Sequence, residues 1–286
     1  DDTTTTDTTT TTDTTTTSSG LFIAVGASGT LLTSSDGTTW TAQTSGTSNN
    51  LRAVAYGNSI LVVVGYSGTV LRSTDGTTWN DATALSTTTD NLTNVTYGNS
   101  TFMAVGGSGT IITSSDGIQW TSKTSGTSEN LWGIAYGNST WVANGDNGTI
   151  ISSSDGTSWD NRTSGTTVEF NGLLYGNSTF VAVGDSGTIL TSDNGTTWTS
   201  KTSGTSNEIR EVIYDRNIFF GVGEDATYIY SQNGTSWSSG SSTGIDASAY
   251  LSGVAYGLET WVIVGASGVI YTIKDEGTTY TLRTSG

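Results

Sequence analysis

The chain lacks cysteine, histidine and proline, and it carries little charge. The absence of cysteine excludes disulfide bonds, a thiolate nucleophile and cysteine-based zinc or iron–sulfur sites. The absence of histidine removes the side chain that most often serves as a general base or as a transition-metal ligand. We therefore expect no catalytic residue, no metal site and no cofactor, although carboxylate chemistry and an oxygen-ligand Ca²⁺ site remain open.

The charge that is present is mostly negative. Nine Lys and Arg residues stand against 25 Asp and Glu residues, and charged residues make up 12% of the 286 positions. A chain with a formal net charge of −16 and no basic patch is unsuited to nucleic acid or anionic lipid. The chain has no run of 18 apolar residues, so the sequence predicts no membrane span. The surface is expected to be covered by hydroxyl groups, since 59 residues are Thr and 40 are Ser.

A unit of about 40 residues recurs seven times along the chain. Each unit ends in a turn segment such as SSDGTTW (34–40) or SDNGTTW (192–198), which an aromatic residue closes. The spacings between successive closing aromatics are 39, 41, 39, 39, 39 and 43 residues. The closing aromatics are Trp40, Trp79, Trp120, Trp159, Trp198, Trp237 and Tyr280. Self-similarity at this period is typical of a propeller.

Each unit contains four short strand-like segments rich in β-branched and aromatic residues. In the second unit they are LRAVAYG (51–57), LVVVG (61–65), TVLRS (69–73) and TTWND (77–81), with Gly-containing turns between the last three. The pattern predicts an all-β fold, a seven-bladed β-propeller of four-stranded blades. A parallel β-solenoid is the alternative, but its coils are shorter and its turns do not alternate as hairpins. We predict a Thr-rich connector at residues 1–19 and the propeller at residues 20–286.

The closing turns resemble the Asp-box, or BNR repeat, whose pattern is Ser/Thr-x-Asp-x-Gly-x-Thr-Trp. Residues 191–198, TSDNGTTW, match it through Asp193, Gly195 and Trp198. The motif occurs in the propellers of sialidases, photosystem II assembly factors and sortilin-type receptors, and the resemblance covers about residues 21–286. It implies that the box lies on the hairpin between the third and fourth strands of a blade.

The expected role of the box is structural. Its Asp or Asn accepts hydrogen bonds from backbone N–H groups of the turn, its Gly takes a positive φ, and its Trp packs on the blade. The other units depart from the family pattern. Asp36, Asp75, Asp116 and Asp155 stand one residue later than the family's Asp, and Gln232 replaces it in unit six, whereas Asp275 stands in place. The structural tryptophans of these units are Trp40, Trp79, Trp120, Trp159 and Trp237.

The catalytic residues of the sialidases are not recognisable. Those enzymes use three Arg to bind the substrate carboxylate, a Tyr/Glu nucleophile pair and an acid Asp. Here the Arg residues are dispersed, and only Arg52 and Arg210 share a phase on first strands, where we expect them to face the channel. Glu169, Glu208 and Glu211 lie near first strands without a recognisable partner pattern. We predict that the protein is not an enzyme, with a carboxylate glycosidase as an alternative.

The first unit lacks its first strand. Units two to seven have a first strand that ends in Tyr, whereas unit one begins directly at its second strand, LFIAVG (21–26). The seven units therefore contain 27 strands where 28 are expected. The Thr tract can fill this gap itself, leave it for a segment of another subunit, or leave a three-stranded blade. We expect residues 12–18 to fill it and residues 1–11 to project outward.

Two sets of residues are candidates for attached sugar. Thr-rich runs resemble O-glycosylated stalks. The O-linked candidates are Thr3, Thr4, Thr5, Thr6, Thr8, Thr9, Thr10, Thr11, Thr12, Thr14, Thr15, Thr16 and Thr17. Among nine Asn-x-Ser/Thr sequons, those in turns after a Tyr-Gly pair are the best N-linked candidates, namely Asn99, Asn138 and Asn177.

These observations lead to a functional hypothesis and its alternatives. We expect a secreted, glycosylated structural protein at the cell surface, whose residues 1–17 dock on the next copy and build a head-to-tail filament. An extended tract of this length spans about 55 Å, enough to reach a neighbouring propeller. The alternative is a binding module that presents its turns to a glycan or a protein, with Asp146, Asp185, Glu224 and Asp225 on one set of turns.

Overall fold

The computed structural model describes residues 8–9, 20–241, 244–274 and 280–283. Its strands form seven four-stranded antiparallel sheets, and in each sheet the strands are hydrogen-bonded in chain order. The predicted seven-bladed all-β propeller is confirmed. No helix in the described residues is long and apolar enough to cross a membrane.

The strands are numbered β1 to β28, four to a blade. Blade one contains β1 (Thr8–Thr9), β2 (Phe22–Gly26), β3 (Leu31–Ser34) and β4 (Thr41–Ala42). Blade two contains β5 (Leu51–Gly57), β6 (Ile60–Gly65), β7 (Val70–Ser73) and β8 (Asn80–Asp81). Blade three contains β9 (Leu92–Gly98), β10 (Thr101–Gly106), β11 (Ile111–Ser114) and β12 (Thr121–Lys123), and blade four contains β13 (Leu131–Gly137), β14 (Thr140–Gly145), β15 (Ile150–Ser153) and β16 (Asp160–Arg162). Blade five contains β17 (Phe170–Gly176), β18 (Thr179–Gly184), β19 (Thr188–Ser192) and β20 (Thr199–Lys201); blade six β21 (Ile209–Asp215), β22 (Ile218–Gly223), β23 (Thr227–Ser231) and β24 (Ser238–Ser241); blade seven β25 (Leu251–Gly257), β26 (Thr260–Gly265), β27 (Val269–Lys274) and β28 (Thr281–Arg283).

The helical content of the described residues is limited to short 3₁₀ turns. Five of them join a second strand to a third strand, and the middle residue of each is left-handed, as at Asn147 with φ 53°. The sixth follows β8. The 3₁₀ turns are Ala27–Gly29, Thr83–Leu85, Gly107–Gly109, Asp146–Gly148, Asp185–Gly187 and Ala266–Gly268.

The hydrophobic core is divided among the junctions between blades. Seven clusters of buried side chains each join residues of two neighbouring blades. At the junction of blades three and four, for example, Met103 and Val105 pack with Ile134, Trp141 and Ile151. A blade buries its faces only against its neighbours, which is why a ring of such units is stable.

The Thr tract supplies the innermost strand of its own blade. Thr8 pairs with Gly26 and Thr9 pairs with Val25. The strand therefore begins four residues earlier than predicted, and the expectation that residues 1–11 project outward is wrong for Thr8 and Thr9. The prediction assumed the two-residue turn that joins first and second strands in the other blades, but a longer connection separates β1 from β2. The predicted segment 12–18 lies outside the described residues.

The described strands of blades one and seven share no sheet. Every described strand of blade one comes from the first 42 residues, and every described strand of blade seven follows residue 250. Their junction is held by a cluster in which Phe22 and Trp40 pack with Val262 and Ile270. Closure of the ring thus depends on apolar packing between the two ends of the chain.

Candidate binding site at one mouth of the ring

An Asp or Asn side chain organises the turns between third and fourth strands. In blade four the Asp155 Oδ1 atom accepts hydrogen bonds from the backbone N–H groups of Thr157 (2.7 Å) and Ser158 (2.8 Å). The Ser153 hydroxyl donates to the same oxygen at 2.9 Å and accepts from the N–H of Gly156, which has φ 69°. The corresponding acceptors in the other described turns are Asp36, Asp75, Asp116, Asn194 and Asn233.

The acceptor in blade five differs from the predicted one. Asn194, rather than Asp193, accepts from the N–H groups of the next turn residues, at 2.9 and 3.0 Å. Asp193 is exposed, and its backbone oxygen accepts from the Asn138 side chain at 3.4 Å. In every described turn the acceptor stands four residues before the Trp, so this spacing predicts the position better than the family pattern does. Asp275 lies outside the described residues.

The tryptophans of these turns pack on the junctions between blades. Trp40 and Trp120 are buried, with 7% and 4% of their surface exposed. Trp79 is half-buried, and its indole N–H donates to the backbone oxygen of Gly76 at 3.1 Å. Three more are half-buried against apolar clusters, namely Trp159, Trp198 and Trp237. Gly195 takes the positive φ of 72° expected of a box glycine.

We predict that Asp155→Asn preserves this turn and that Asp155→Ala weakens it. Asn keeps the acceptor oxygen, as Asn194 and Asn233 do in their own blades. The N–H groups of Ser158 and Thr157 lower the pKa of Asp155 to about 2. A depressed pKa stabilises the fold at neutral pH, and this contribution is lost as pH falls from about 4 towards 2.

Thermal unfolding across pH 2–7 tests this prediction. The Ala variant should have the lowest melting temperature at neutral pH. The difference between wild type and the Asn variant should shrink as the pH is lowered, because only the wild type loses a charge. Equal melting temperatures for the Ala and Asn variants at neutral pH would refute the structural role of the oxygen.

The predicted N-linked sugar sites belong to a different set of turns. Asn99, Asn138 and Asn177 are exposed, and each is the first residue of the two-residue turn between first and second strands. Their φ values of 46°, 45° and 47° are those of a tight hairpin turn. They remain predicted sites. The O-linked candidates lie outside the described residues, apart from the backbone of Thr8 and Thr9.

The innermost strands of blades two to seven combine repeated positions with a variable second position. The first position is Leu, Ile or Phe, the sixth is Tyr and the seventh is Gly in five of the six blades. The second position differs in chemistry from blade to blade and lines a cavity of about 80 Å³ at the start of these strands. This second-position ring consists of Arg52, Thr93, Trp132, Asn171, Arg210 and Ser252. Arg52 and Arg210 therefore lie in the channel, as expected.

Acidic residues surround one side of this mouth. In blade five the backbone N–H of Asp185 donates to the backbone oxygen of Glu169 at 3.0 Å. In blade six the backbone N–H of Glu224 donates to the backbone oxygen of Glu208 at 3.1 Å. These bonds tie the turn between second and third strands to the residue before the first strand. Asp146 of blade four occupies the same turn position. We call Asp146, Glu169, Asp185, Glu208 and Glu224 the acidic arc.

The second-position ring contacts the acidic arc directly. The Trp132 indole N–H donates to Asp146 Oδ1 at 2.5 Å. The Asn171 amide donates to Glu208 Oε1 at 2.9 Å and to Asp185 Oδ1 at 3.3 Å. The Arg210 Nε atom lies 2.5 Å from Glu208 Oε1 in an ion pair. The contacts of Asn171 and Arg210 thus form one polar network across blades five and six, beside the separate Trp132–Asp146 pair of blade four.

Negative charge is in excess within this network. Burial raises the pKa of Glu208 to about 7; Arg210 opposes this shift, and Asp185 and Glu224 add to it. Burial is the main cause that raises the pKa of Glu169, and the negative charges of Asp146 and Asp185 raise it further. The positive charge of Arg210 acts in the opposite direction. The Arg210 guanidinium therefore offsets only part of the cost of ionising Glu169 and Glu208. A bound cation would favour their ionised forms.

The opposite side of the mouth carries no comparable acidic group among the described residues. The turn positions equivalent to Asp146 are Tyr66 in blade two, Gly107 in blade three and Ala266 in blade seven. The Arg52 guanidinium lies over the Tyr66 ring, 5.7 Å from its centroid. The Arg210 guanidinium lies over Tyr250 at 4.6 Å. The mouth is thus acidic on the side of blades four to six only.

Part of this site is not predicted by the sequence pattern. Asp146, Asp185 and Glu224 were placed on one set of turns, but Trp132 and Asn171 were not recognised as their partners. Both are the second residue of a first strand, so an alignment of the first strands would have placed them beside Arg52 and Arg210. Among the described residues no group of three or more acidic side chains is arranged to hold a metal ion. The geometry suits the binding of a cationic group at an acidic surface.

Comparisons with known proteins show the fold. No family model and no curated protein matches the chain. The structure of YCF48 bound to D1 peptide is similar with a TM-score of 0.73 and 18% identity, covering 94% of this chain and 92% of that chain. YCF48 from Cyanidioschyzon merolae has a TM-score of 0.71 and 17% identity, with coverage of 95% and 96%. The computationally designed protein Ika8 has a TM-score of 0.62 and 13% identity, with coverage of 98% and 96%.

The resemblance to photosystem II assembly-factor propellers therefore extends to the overall fold. Identities of this size carry no information on a shared ligand. The likeness to Asp-box repeats rests on the turn residues themselves.

Proposed function

We propose that the protein is a non-enzymatic binding module whose acidic arc takes a basic, extended segment of a partner protein. The observation that carries the proposal is the acidic arc at the mouth of the ring, where burial and neighbouring carboxylates raise the pKa values of Glu169 and Glu208 against the opposing charge of Arg210. Rigid strand ends and turns hold these groups, so little conformational freedom is lost on binding. The proposal assigns no catalytic residue.

The chemistry of the mouth favours Lys or Arg side chains as ligands. Glu169 and Glu208 are half-buried, and burial and neighbouring carboxylates disfavour their charge. A guanidinium or ammonium group placed between them would relieve this repulsion and donate hydrogen bonds to several oxygens. The half-buried Trp132 adds an aromatic surface beside the acidic groups.

The fold comparison adds an analogy. A propeller of the same overall fold, YCF48, has been solved with a peptide bound to it. Function does not follow from fold, so the analogy supports a peptide ligand in general and says nothing on its sequence. The acidic character of this mouth is what specifies a basic segment here.

Neutralising two carboxyl groups of the acidic arc should weaken binding of a basic peptide. The probe is a fluorescein-labelled peptide with three Lys residues separated by Gly, and fluorescence anisotropy reports its binding to the full chain. We expect Glu169→Gln with Glu208→Gln to weaken binding about 30-fold, from roughly 1 kcal/mol for each carboxylate. The side-chain volumes are unchanged, and a thermal melt checks that the variant folds.

A matched control removes the same charge elsewhere. Asp193 and Glu259 are exposed turn residues outside the acidic arc. The double variant Asp193→Asn with Glu259→Gln should bind the peptide as the wild type does. Equal weakening by the two double variants would show that only net charge matters and would overturn the proposed site.

The extracellular filament expected from the Thr tract stands as a separate proposal. Pairing of Thr8 and Thr9 with β2 uses part of the tract within its own propeller, which favours a binding module over a connector. Light scattering and the intact mass of material from the native source discriminate the two. Filaments require assembly that grows with concentration, and glycosylation requires a mass above the 29.6 kDa of the peptide chain.

A further inference from the structure

The opposite end of the channel holds a second, wider cavity. Its volume is about 360 Å³, within the range of small-molecule pockets. The sixth residues of six first strands surround it, and no Lys or Arg is among its described lining residues. These residues form a tyrosine ring of Tyr56, Tyr97, Tyr136, Tyr175, Tyr214 and Tyr256.

The tyrosine ring is rigidly packed. Tyr175, for example, lies opposite Phe180 on the neighbouring strand, with ring centroids 4.6 Å apart. Its ring also lies over Gly137 of the preceding blade, where a Cβ atom would come within 2.0 Å of the ring. Tyr97, Tyr136 and Tyr214 contact the preceding blade in the same way. The aromatic surfaces are therefore in place before any ligand arrives.

Glu211 lies where the wide cavity meets the narrow one. It lines both cavities, so the part of its surface that is exposed faces the channel. Its Oε2 atom accepts one hydrogen bond, from the N–H of Val254 at 2.9 Å, and among the described residues it has no ion-pair partner. The Glu211 carboxyl group thus faces the wide cavity, whose described lining residues include no Lys or Arg, whereas Arg52 and Arg210 line the narrow cavity.

We propose that the wide cavity binds an alkylammonium ion, with its nitrogen at Glu211 and its alkyl body against the tyrosine ring. The ammonium group donates hydrogen bonds to the carboxylate, and the alkyl body buries apolar surface against the tyrosine ring. The tyrosine ring already contacts one cationic side chain, since the Arg216 guanidinium lies 5.7 Å from the Tyr256 ring centroid and donates to its hydroxyl at 3.2 Å. This site is separate from the acidic arc and does not rest on the function proposed for that arc.

Binding at this site should depend on pH. Burial raises the pKa of Glu211 to about 8, against the opposing effect of the Val254 N–H. The charged and titratable groups around the channel are Asp215, Arg216 and the tyrosine ring on the wide side, and Arg52 and Arg210 on the narrow side. Because an ammonium ion favours ionised Glu211, affinity should rise about tenfold per pH unit below pH 8 and level off above it.

Titration of the full chain with 1-hexylammonium chloride, followed by calorimetry, tests the proposal. The uncharged probe 1-hexanol has a similar size and should bind at least about tenfold more weakly, since it lacks the charge. Glu211→Gln keeps an oxygen for the Val254 N–H but no charge, and it should lose at least about tenfold in hexylammonium affinity. Glu169→Gln with Glu208→Gln should leave that affinity unchanged.

The outcomes are decisive in both directions. Hexylammonium binding that requires Glu211 and strengthens between about pH 6 and pH 8 supports the site. Absence of binding, equal binding of 1-hexanol, or an affinity independent of pH overturns it. The pH series uses the wild type and therefore gives an answer even if the Glu211 variant does not fold. Loss of peptide binding in the acidic-arc variant without loss of amine binding distinguishes failure of one proposal from failure of the other.

Discussion

Substituting Gly106 by Ala is expected to lower the free energy of unfolding by about 3 kcal/mol. Gly106 ends β10 with φ −173°, a conformation that any residue adopts, so the cost comes from space alone. A Cβ atom at this position would lie 2.1 Å from the backbone oxygen of Asn91. Both atoms belong to the backbone framework of one blade, and no side-chain rotation relieves the contact. Six other blades carry Gly at the equivalent position: Gly26, Gly65, Gly145, Gly184, Gly223 and Gly265.

The neighbouring Gly107 provides the control. A Cβ atom there would meet nothing closer than 3.5 Å, and its φ is not in the left-handed region. Other blades carry Ala, Tyr, Asp or Glu at this position. We therefore expect Gly107→Ala to change the unfolding free energy by less than about 0.5 kcal/mol. Urea unfolding followed by tryptophan fluorescence measures both variants, and similar losses at the two positions would contradict the argument from space.

Truncating Phe22 to Ala is expected to cost about 3 to 5 kcal/mol and to loosen the closure of the ring. Phe22 is fully buried, and its ring centroid lies 6.4 Å from that of Trp40. It packs with Val262 and Ile270 across the junction of blades one and seven. No described sheet combines strands from both ends of the chain, so this packing holds the junction.

Phe102 is the matched control for Phe22. It occupies the equivalent position of blade three and is equally buried, but the chain connects blade three to both of its neighbours. Phe102→Ala should lose a similar free energy of unfolding. Hydrogen exchange should then differ, with faster exchange of β2 and β26 in Phe22→Ala alone. Equal exchange of these strands in the two variants would show that the junction is no weaker than the others.

Much of the fold follows from the repeat itself. The regular spacing of the closing aromatics, the Gly-containing turns and the β-branched runs predict seven blades, because each local pattern agrees with the global one. The position of β1 was harder to predict. A run of Thr has no alternation of apolar and polar residues, and no short turn ties it to β2, so its register is weakly specified by sequence.

The candidate site could be predicted only in part. Arg52 and Arg210 were expected in the channel because the repeats put them in phase. The acidic arc combines turn residues such as Asp146 with residues before first strands such as Glu208, drawn from three blades. These residues come together through the backbone hydrogen bonds between the turns and the residues before the first strands, and through the packing of neighbouring blades. A local sequence pattern predicts neither. The Asn194 acceptor was missed because the family pattern was preferred to the spacing shared by the blades.

The central claim is that the acidic arc binds a basic segment, and titration of the full chain with two peptides tests it most directly. One peptide carries three Lys residues separated by Gly, and the other carries Glu in place of Lys. We predict that only the Lys peptide binds, and that its affinity falls when salt is raised from about 20 mM to about 200 mM, as expected for charge attraction at a partly exposed mouth. Equal binding of the two peptides, or no binding of the Lys peptide at low salt, would contradict the account.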